Sequence, residues 1–183
     1  MKAIILAGGK GSRIQSISKN KPKCLVKIGN KTILDHIIDN CLQCTKIDDI
    51  IIVTHHLSEL IDSHIKDREI DVSIRVVKEE TPLGTAGALH SISDELNDDF
   101  LVIYGDIMMN MDLSRLGDYH HKKKSYATLV VHPNDHPYDS DLVECDKSGR
   151  ITNIFPKPHD EGYKANCVSA ACYCLSSEIL SDI

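Results

Sequence analysis

The sequence predicts an α/β fold: an open, mostly parallel sheet with helices on both faces and a local antiparallel hairpin. Three observations carry this expectation. Short apolar runs alternate with stretches of helical period from Lys2 to Val131. Runs such as Ile50–Val53 are β-branched without polar interruption, as in strands covered on both faces. Later, two short apolar segments flank Asp146-Lys147-Ser148-Gly149, a turn-rich connection of hairpin length.

Each element follows from its local pattern. Lys2–Leu6 reads as a buried strand leading into a Gly-rich turn. Ile33, Leu34, Ile37, Ile38, Cys41 and Leu42 recur at helical spacing, which predicts a helix from Thr32 to about Gln43, with Thr32 and Asp35 placed for its N-cap. A strand over Ile50–Val53 precedes a helix over Leu57–Ile65, whose Leu57, Leu60, Ile61 and Ile65 share one side. Val72–Val77 is a strand, Thr85–Leu96 a helix, and Phe100–Tyr104 a strand ending at Gly105-Asp106. Leu113–His121 is helical and Ala127–Val131 extended. Leu142–Cys145 and Ile151–Phe155 form the hairpin; Asn166–Leu175 is a further strand, and a helix begins at Ser177.

The 183 residues amount to one domain by length, enough for a proper core. Hydrophobic residues make up 42% and charged residues 26%, as in ordinary globular proteins. No apolar run approaches a membrane span, and Ala3–Ala7 is too short for a signal-peptide core, so a cytoplasmic protein is expected. Seven cysteines, an odd number, argue for reduced thiols rather than a disulfide framework. Cys41-x-x-Cys44 has no partner pair at zinc-ribbon spacing, and Cys41 falls on the apolar side of its helix, so these read as small buried hydrophobes. The pairs His55-His56 and His120-His121 fall at element ends and read as solvated.

Net charge is −6, but it is unevenly placed. Between Met1 and Leu34 there is no acidic residue, whereas Lys2, Lys10, Arg13, Lys19, Lys21, Lys23, Lys27 and Lys31 are all basic. A local cationic patch on an acidic chain suits a small polyphosphate and excludes the extended basic footprint that nucleic acid needs.

That patch surrounds "ILAGGKGSR", Ile5 to Arg13. A dinucleotide fingerprint would need a third glycine and a ribose-binding acid some twenty residues on. Here Ile14 stands in place of the glycine, no acid occurs before Asp35, and Pro22 interrupts the required helix. A phosphate loop of the G-x-x-x-x-G-K-[ST] type fails on spacing. What remains is "AGGKGSR" with a second cationic element, "KPKCL", about ten residues later. Glycines let backbone N–H groups approach phosphate oxygens; Arg13 can fork two of them, and Lys23 supplies a compact point charge.

At these residues the sequence resembles the sugar-phosphate nucleotidyltransferases, whose signature is L-A-G-G-x-G-[ST]-R-[LM] followed by K-P-[KM]-x-L. The similarity continues through "TPLGTAGAL", "FLVIYGDI", "GRITNIFPKP" and "NCVSAACYCL". "PNDHPYDSDLVECDKSGRI" and "YGDIMMNMDLSRL" look closest to the branch of D-glycero-D-manno-heptose 1-phosphate and mannose-1-phosphate guanylyltransferases. The resemblance implies a Rossmann-like fold of the nucleotide-diphospho-sugar transferase type. It implies a nucleotide-sugar and pyrophosphate made from a nucleoside triphosphate and a sugar 1-phosphate with Mg²⁺.

On the same resemblance, Leu6, Ala7, Gly8, Gly9, Gly11, Ser12, Glu79, Leu83, Gly84 and Thr85 hold the nucleotide. Arg13 clamps the leaving pyrophosphate, Lys23 the α-phosphate, and Asp106 the metal. Lys157 and Ser169 meet the sugar phosphate. Chain order supports convergence, because the Gly-rich turn, Gly105-Asp106 and the loop before Gly84 each follow a strand, and open α/β sheets bind ligands beyond the carboxyl ends of their strands. Glu79 or Glu80 can accept hydrogen bonds from guanine N1–H and its exocyclic amine, so GTP is expected over ATP, CTP and UTP.

Three features depart from the family pattern. Pro156 occupies the place of a frequent Glu, Ser169 and Ala171 stand for the Asn and Gly of N-A-G, and the sequence stops at Ile183, before the family's second metal-binding aspartate. Residues 1–183 therefore read as a single nucleotidyltransferase domain that is C-terminally shortened. A non-catalytic nucleotide-sugar-binding or regulatory subunit of the same fold is the alternative, an NAD-dependent oxidoreductase is disfavoured, and the sequence leaves room for a homo-oligomer.

Overall fold

The computed structural model describes residues 1–9, 21–66, 68, 70–81, 84–134, 137–159, 164 and 167–183. Its chain forms two compact units: Met1–Thr128 with Tyr173–Ile183, and Leu129–Cys172.

The first unit is built on parallel strands. In chain order it contains β1 (Lys2–Leu6), the small hairpin β2 (Lys27–Ile28) and β3 (Lys31–Thr32), α1 (Ile33–Leu42), β4 (Asp49–Thr54) and α2 (Ser58–Lys66). Then follow β5 (Ser73–Lys78), α3 (Gly84–His90), β6 (Phe100–Tyr104) and α4 (Leu113–Lys123). β7 (Ala127–Pro133) and β10 (Cys167–Leu175) start in one unit and finish in the other. The strand order is β5-β4-β1-β6, with β10 next to β6. β1 pairs in parallel with β4 from Lys2↔Asp49 to Leu6↔Val53, and with β6 from Ala3↔Leu101 to Leu6↔Tyr104.

Burial explains why these strands lack alternation. Ile4, Ile51, Val53, Phe100 and Val102 pack with Ala88 and Leu89 of α3, Ile92, Leu96 and Leu175. Their neighbours Ala3, Ile5, Ile50, Ile52, Leu101 and Ile103 point the opposite way in a period of two, and they too are fully buried. A strand covered on both faces can carry no polar residue without burying an unpaired group, so the sequence runs apolar throughout.

The start of α1 is fixed as the sequence predicts. Thr32 Oγ1 accepts from the Asp35 N–H at 3.1 Å, and Asp35 Oδ2 accepts from the Thr32 N–H at 2.8 Å, a reciprocal capping box. Asp35 also receives His64 at 2.8 Å and Arg68 at 2.9 Å, which ties α1 to α2 and the residues after it.

Some expectations are corrected. The helix predicted over Thr85–Leu96 ends at His90 and gives way to a 3-10 turn at Ser93–Glu95. Ser91 turns its hydroxyl back to the Ala88 carbonyl at 2.7 Å, and Ile92 leaves helical geometry at φ −123° and ψ 13°; serine and β-branched residues resist helix continuation in this way. Leu60 does not share the buried side of α2 and is 41% exposed. The C-terminal helix is a 3-10 segment, Ser177–Asp182.

The second unit holds β8 (Leu142–Cys145) and β9 (Ile151–Phe155), antiparallel from Leu142↔Phe155 to Cys145↔Ile151. Asp146 builds their turn: its Oδ1 accepts from the Ser148 and Arg150 N–H groups at 2.8 and 3.0 Å. Leu142 pairs with Val168 of β10, also antiparallel, and β7 pairs with β10 as well.

Candidate functional site

The carboxyl ends of β1, β4, β5 and β6 meet at one edge of the first unit. Beyond Leu6, the Ala7 N–H donates to the Val53 carbonyl at 2.7 Å, and the Gly105 N–H donates to the Leu6 carbonyl at 2.9 Å. These bonds carry the chain past the end of β1 toward Gly8-Gly9 and draw the end of β6 against it. Gly105 is favoured there by close approach. A Cβ at that position would lie 3.1 Å from the Leu6 oxygen and 3.2 Å from Ala7 Cβ, tight enough that its neighbours would have to give way by a few tenths of an ångström.

Gly105 delivers the next residue, Asp106, to Lys23. Lys23 Nζ donates to Asp106 Oδ2 at 2.6 Å, joining residues 83 apart in sequence. Lys23 is presented by a 3-10 turn, Lys23–Leu25, in which the Leu25 N–H donates to the Pro22 carbonyl at 2.9 Å and Cys24 is buried as an anchor. Burial pushes the Cys24 thiol up to about 12, with the negative Asp106 adding to the effect. The Lys23–Asp106 pair is half exposed, which leaves it within reach of a ligand.

Glu79 follows the last residue of β5. Its N–H donates to the Thr54 carbonyl at 2.7 Å, and its carboxylate rests over the Gly-rich turn, where a Cβ on Gly8 would come within 3.3 Å of Oε2. Oε1 is buried and has no hydrogen-bond partner among the described residues. Glu80 is exposed. Of the two acids left open by the sequence, Glu79 is therefore the one at the turn. Gly84 opens α3 at φ +77°, a left-handed conformation that favours glycine. Thr85 Oγ1 lies 3.0 Å from the Tyr104 hydroxyl, so it shares a hydrogen bond with the end of β6.

Thus Leu6, Ala7, Gly8, Gly9, Lys23, Glu79, Gly84, Thr85 and Asp106 all belong to the strand ends and turns of the first unit. Gly11, Ser12, Arg13 and Leu83 lie outside the described residues. Lys157 and Ser169 belong to the second unit. There the Lys157 N–H donates to Asp141 Oδ1 at 3.0 Å, and His159 Nε2 donates to the Pro137 and Ser140 carbonyls at 3.1 and 2.7 Å, bracing the Lys157 loop. Ser169 Oγ accepts the Ala171 N–H at 3.2 Å, across a kink in which Ala171 takes φ +54°.

Two histidines are not solvated as expected. His55 is half-buried at the end of β4, with Nδ1 at 3.1 Å from the Glu79 carbonyl. His120 is 1% exposed, bonded to Thr128 at 2.8 Å, and burial lowers its pKa against the opposing pull of Asp99. Lone histidines at element ends give no periodicity to read, so only the packing reveals them.

Mg²⁺ demands hard oxygen ligands and is commonly held by one or two carboxylates together with substrate phosphates. Asp106 supplies one such carboxylate, and Oδ1 is the oxygen that Lys23 does not take. Among the described residues no group of three or more ligating side chains could hold a metal alone. The residues fit a metal that arrives with phosphate oxygens, not an all-protein cage.

A family model described as nucleotidyl transferase matches residues 2–183. Mannose-1-phosphate guanylyltransferase 1 of Arabidopsis thaliana is 30% identical over 190 residues, with 100% of this chain and 52% of that protein covered. The bifunctional protein GlmU of Methanococcus maripaludis is 27% identical, with 98% of this chain and 41% of that protein covered. The chain spans about half the length of these curated relatives. The crystal structure of HddC from Yersinia pseudotuberculosis, solved also in complex with GMP-PN, superposes with a TM-score of 0.78 at 25% identity, covering 100% of this chain and 79% of that one. No helix among the described residues is long and apolar enough to cross a membrane. With a strand-end turn, a lysine–aspartate pair and a family match over nearly its whole length, the chain belongs to the nucleotidyl transferase family.

Proposed function

We propose that the chain is the catalytic part of a sugar-1-phosphate nucleotidyltransferase that forms a GDP-sugar and pyrophosphate from GTP and a hexose or heptose 1-phosphate. The observation that supports it most is the Lys23–Asp106 pair at the carboxyl edge of parallel strands, one residue after Gly105 bonds the end of β1. In this reading an oxygen of the sugar 1-phosphate attacks the α-phosphorus, and the bond to the β-phosphate oxygen breaks. Catalysis is then mainly positioning and charge neutralisation. Lys23 leaves Asp106 for an α-phosphate oxygen, and Asp106 holds Mg²⁺, which supplies Lewis-acid neutralisation of the phosphates when bound. Arg13 neutralises the departing pyrophosphate, while Gly11, Ser12 and Leu83 complete the nucleotide contacts. Lys157 and Ser169 serve the sugar phosphate.

Guanine is favoured because the half-buried Glu79 carboxylate lies against Gly8, with Oε1 unpartnered among the described residues. Guanine presents adjacent N1–H and amino donors to the two oxygens of a carboxylate, whereas adenine presents its N6 amine beside an acceptor at N1. The names of the Arabidopsis relative and of the GMP-PN complex point to the same base. Pyrophosphate release measured over a panel of nucleoside triphosphates and sugar 1-phosphates tests the proposal. Turnover with GTP and one sugar is expected. A complete absence of Mg²⁺-dependent turnover, in the longest form of the protein, overturns it.

One observation favours a second reading. Ser169 spends an acceptor on the Ala171 N–H, at a position where the resemblance places a sugar contact. A subunit that binds nucleotide-sugar without making it would show calorimetric binding with no pyrophosphate released.

A further inference from the structure

Glu79 is held at both of its main-chain polar groups by consecutive residues of β4. The parallel pairing of β4 with β5 runs from Asp49↔Ser73 to Thr54↔Lys78 and stops there. One residue further, the Glu79 N–H still finds the Thr54 carbonyl at 2.7 Å. Among the described residues the Glu79 carbonyl finds no further backbone rung; it is met by His55 Nδ1 at 3.1 Å. A carbonyl only accepts, so Nδ1 carries a proton and donates. The imidazole thus replaces the rung that the sheet no longer provides.

Fixing both polar groups of one residue restrains its φ and ψ, and with them the direction in which its Cα–Cβ bond leaves the backbone. For Glu79 that direction leads over the Gly-rich turn, where His55 closes the other wall. A Cβ on Gly8 would meet Glu79 Oε2 at 3.3 Å, the His55 nitrogen at 3.5 Å and His55 Cβ at 3.6 Å. Oε2 is the carboxylate oxygen nearest Gly8, and the buried Oε1 has no hydrogen-bond partner among the described residues. A carboxylate so placed discriminates, because a ligand with a matching donor pair gains hydrogen bonds that a ligand without one does not.

We propose that His55 is a positioning residue that sets base selectivity by holding the Glu79 carboxylate; this rests on the reading of Glu79 as the base acceptor. The test is calorimetric binding of Mg²⁺-GTP and Mg²⁺-ATP to the full 183-residue chain, with melting temperatures measured in parallel. His55→Phe keeps a ring and removes the donor. His55→Asn places an amide N–H near the position of Nδ1, and His55→Gln places it near Nε2. Loss of one neutral hydrogen bond corresponds to about fivefold in an equilibrium constant. His55→Phe and His55→Gln are therefore expected to lower the GTP-to-ATP preference about fivefold, chiefly through weaker GTP binding, while His55→Asn retains it.

The Asn/Gln contrast decides the matter even if the Phe variant does not fold. Equal preference in the Asn and Gln variants and the wild type, with preference lost in Glu79→Gln, overturns the role of His55 and leaves the base reading standing. Unchanged preference in Glu79→Gln overturns the base reading and this proposal with it. A wild type that binds no triphosphate, or does not prefer GTP, does the same.

Discussion

Ala171→Gly should stabilise the second unit. Ala171 sits inside β10 at φ +54°, where an L-residue brings its Cβ against its own carbonyl. That conformation costs about 1–2 kcal/mol relative to right-handed or extended backbone. Glycine removes the clash but gives back about 0.5–1 kcal/mol through the greater freedom of the unfolded chain. The net gain is about 0.5–1 kcal/mol. With an m-value of about 2 kcal/mol/M, the urea midpoint rises by about 0.3–0.5 M. Ala171→Val should fall on the other side of the wild type, because a β-branched residue tolerates this region least. Far-UV circular dichroism reports the transition in a chain without tryptophan. A glycine midpoint at or below that of wild type, with no penalty for valine, would refute the reasoning. The Ser169 hydroxyl would then be recovering the full cost through the Ala171 N–H.

Four other outcomes follow from the structure. Thr32→Ala, which deletes the hydroxyl half of the α1 capping box, should lower unfolding free energy by about 1 kcal/mol in the same urea assay. Asp106→Asn should reduce pyrophosphate release at least tenfold while changing the melting temperature little, since a half-exposed ion pair contributes only about 0.2–1 kcal/mol. His120 is buried and its pKa lies below the ordinary 6.5, so the unfolded chain takes up its proton first. Its contribution is therefore complete above pH 6.5 and is lost as pH falls through the lower folded value; stability in His120→Gln should be less pH-dependent over that window. Finally, Cys24 and Cys172, both pushed up to about 12 by burial, should resist thiol labelling at pH 8 until denaturant is added.

How much of this was legible depended on whether a signal repeats along the chain. β1 and the capping box of α1 could be read because apolar periodicity and a Thr-x-x-Asp start are local properties. Lys23 and Asp106 could each be named from short motifs, but their meeting depends on β1 and β6 being neighbours, which no local pattern states. The β2–β3 hairpin escaped because each strand has two residues, too few to show a period, although Gly29 at φ +65° marks its turn. His55 escaped for a different reason: its partner is a main-chain carbonyl, and a backbone atom leaves no trace in the choice of residue at position 79.

The contact between Lys23 and Asp106 has a thermodynamic consequence. On the proposed function, each group guards the other against a partial ligand. A bare divalent cation at Asp106 Oδ1 meets a carboxylate whose charge is already matched, and is repelled by the ammonium held on Oδ2 at 2.6 Å. Lys23 can follow a bare phosphate only by stranding a carboxylate. When cation and triphosphate arrive together, one ion pair is exchanged for two and neither charge is left alone. The affinities of the two ligands are then linked, each raising that of the other by the same factor. The resting pair acts as a coincidence detector, indifferent to free phosphate and to free cation, and opened by their complex.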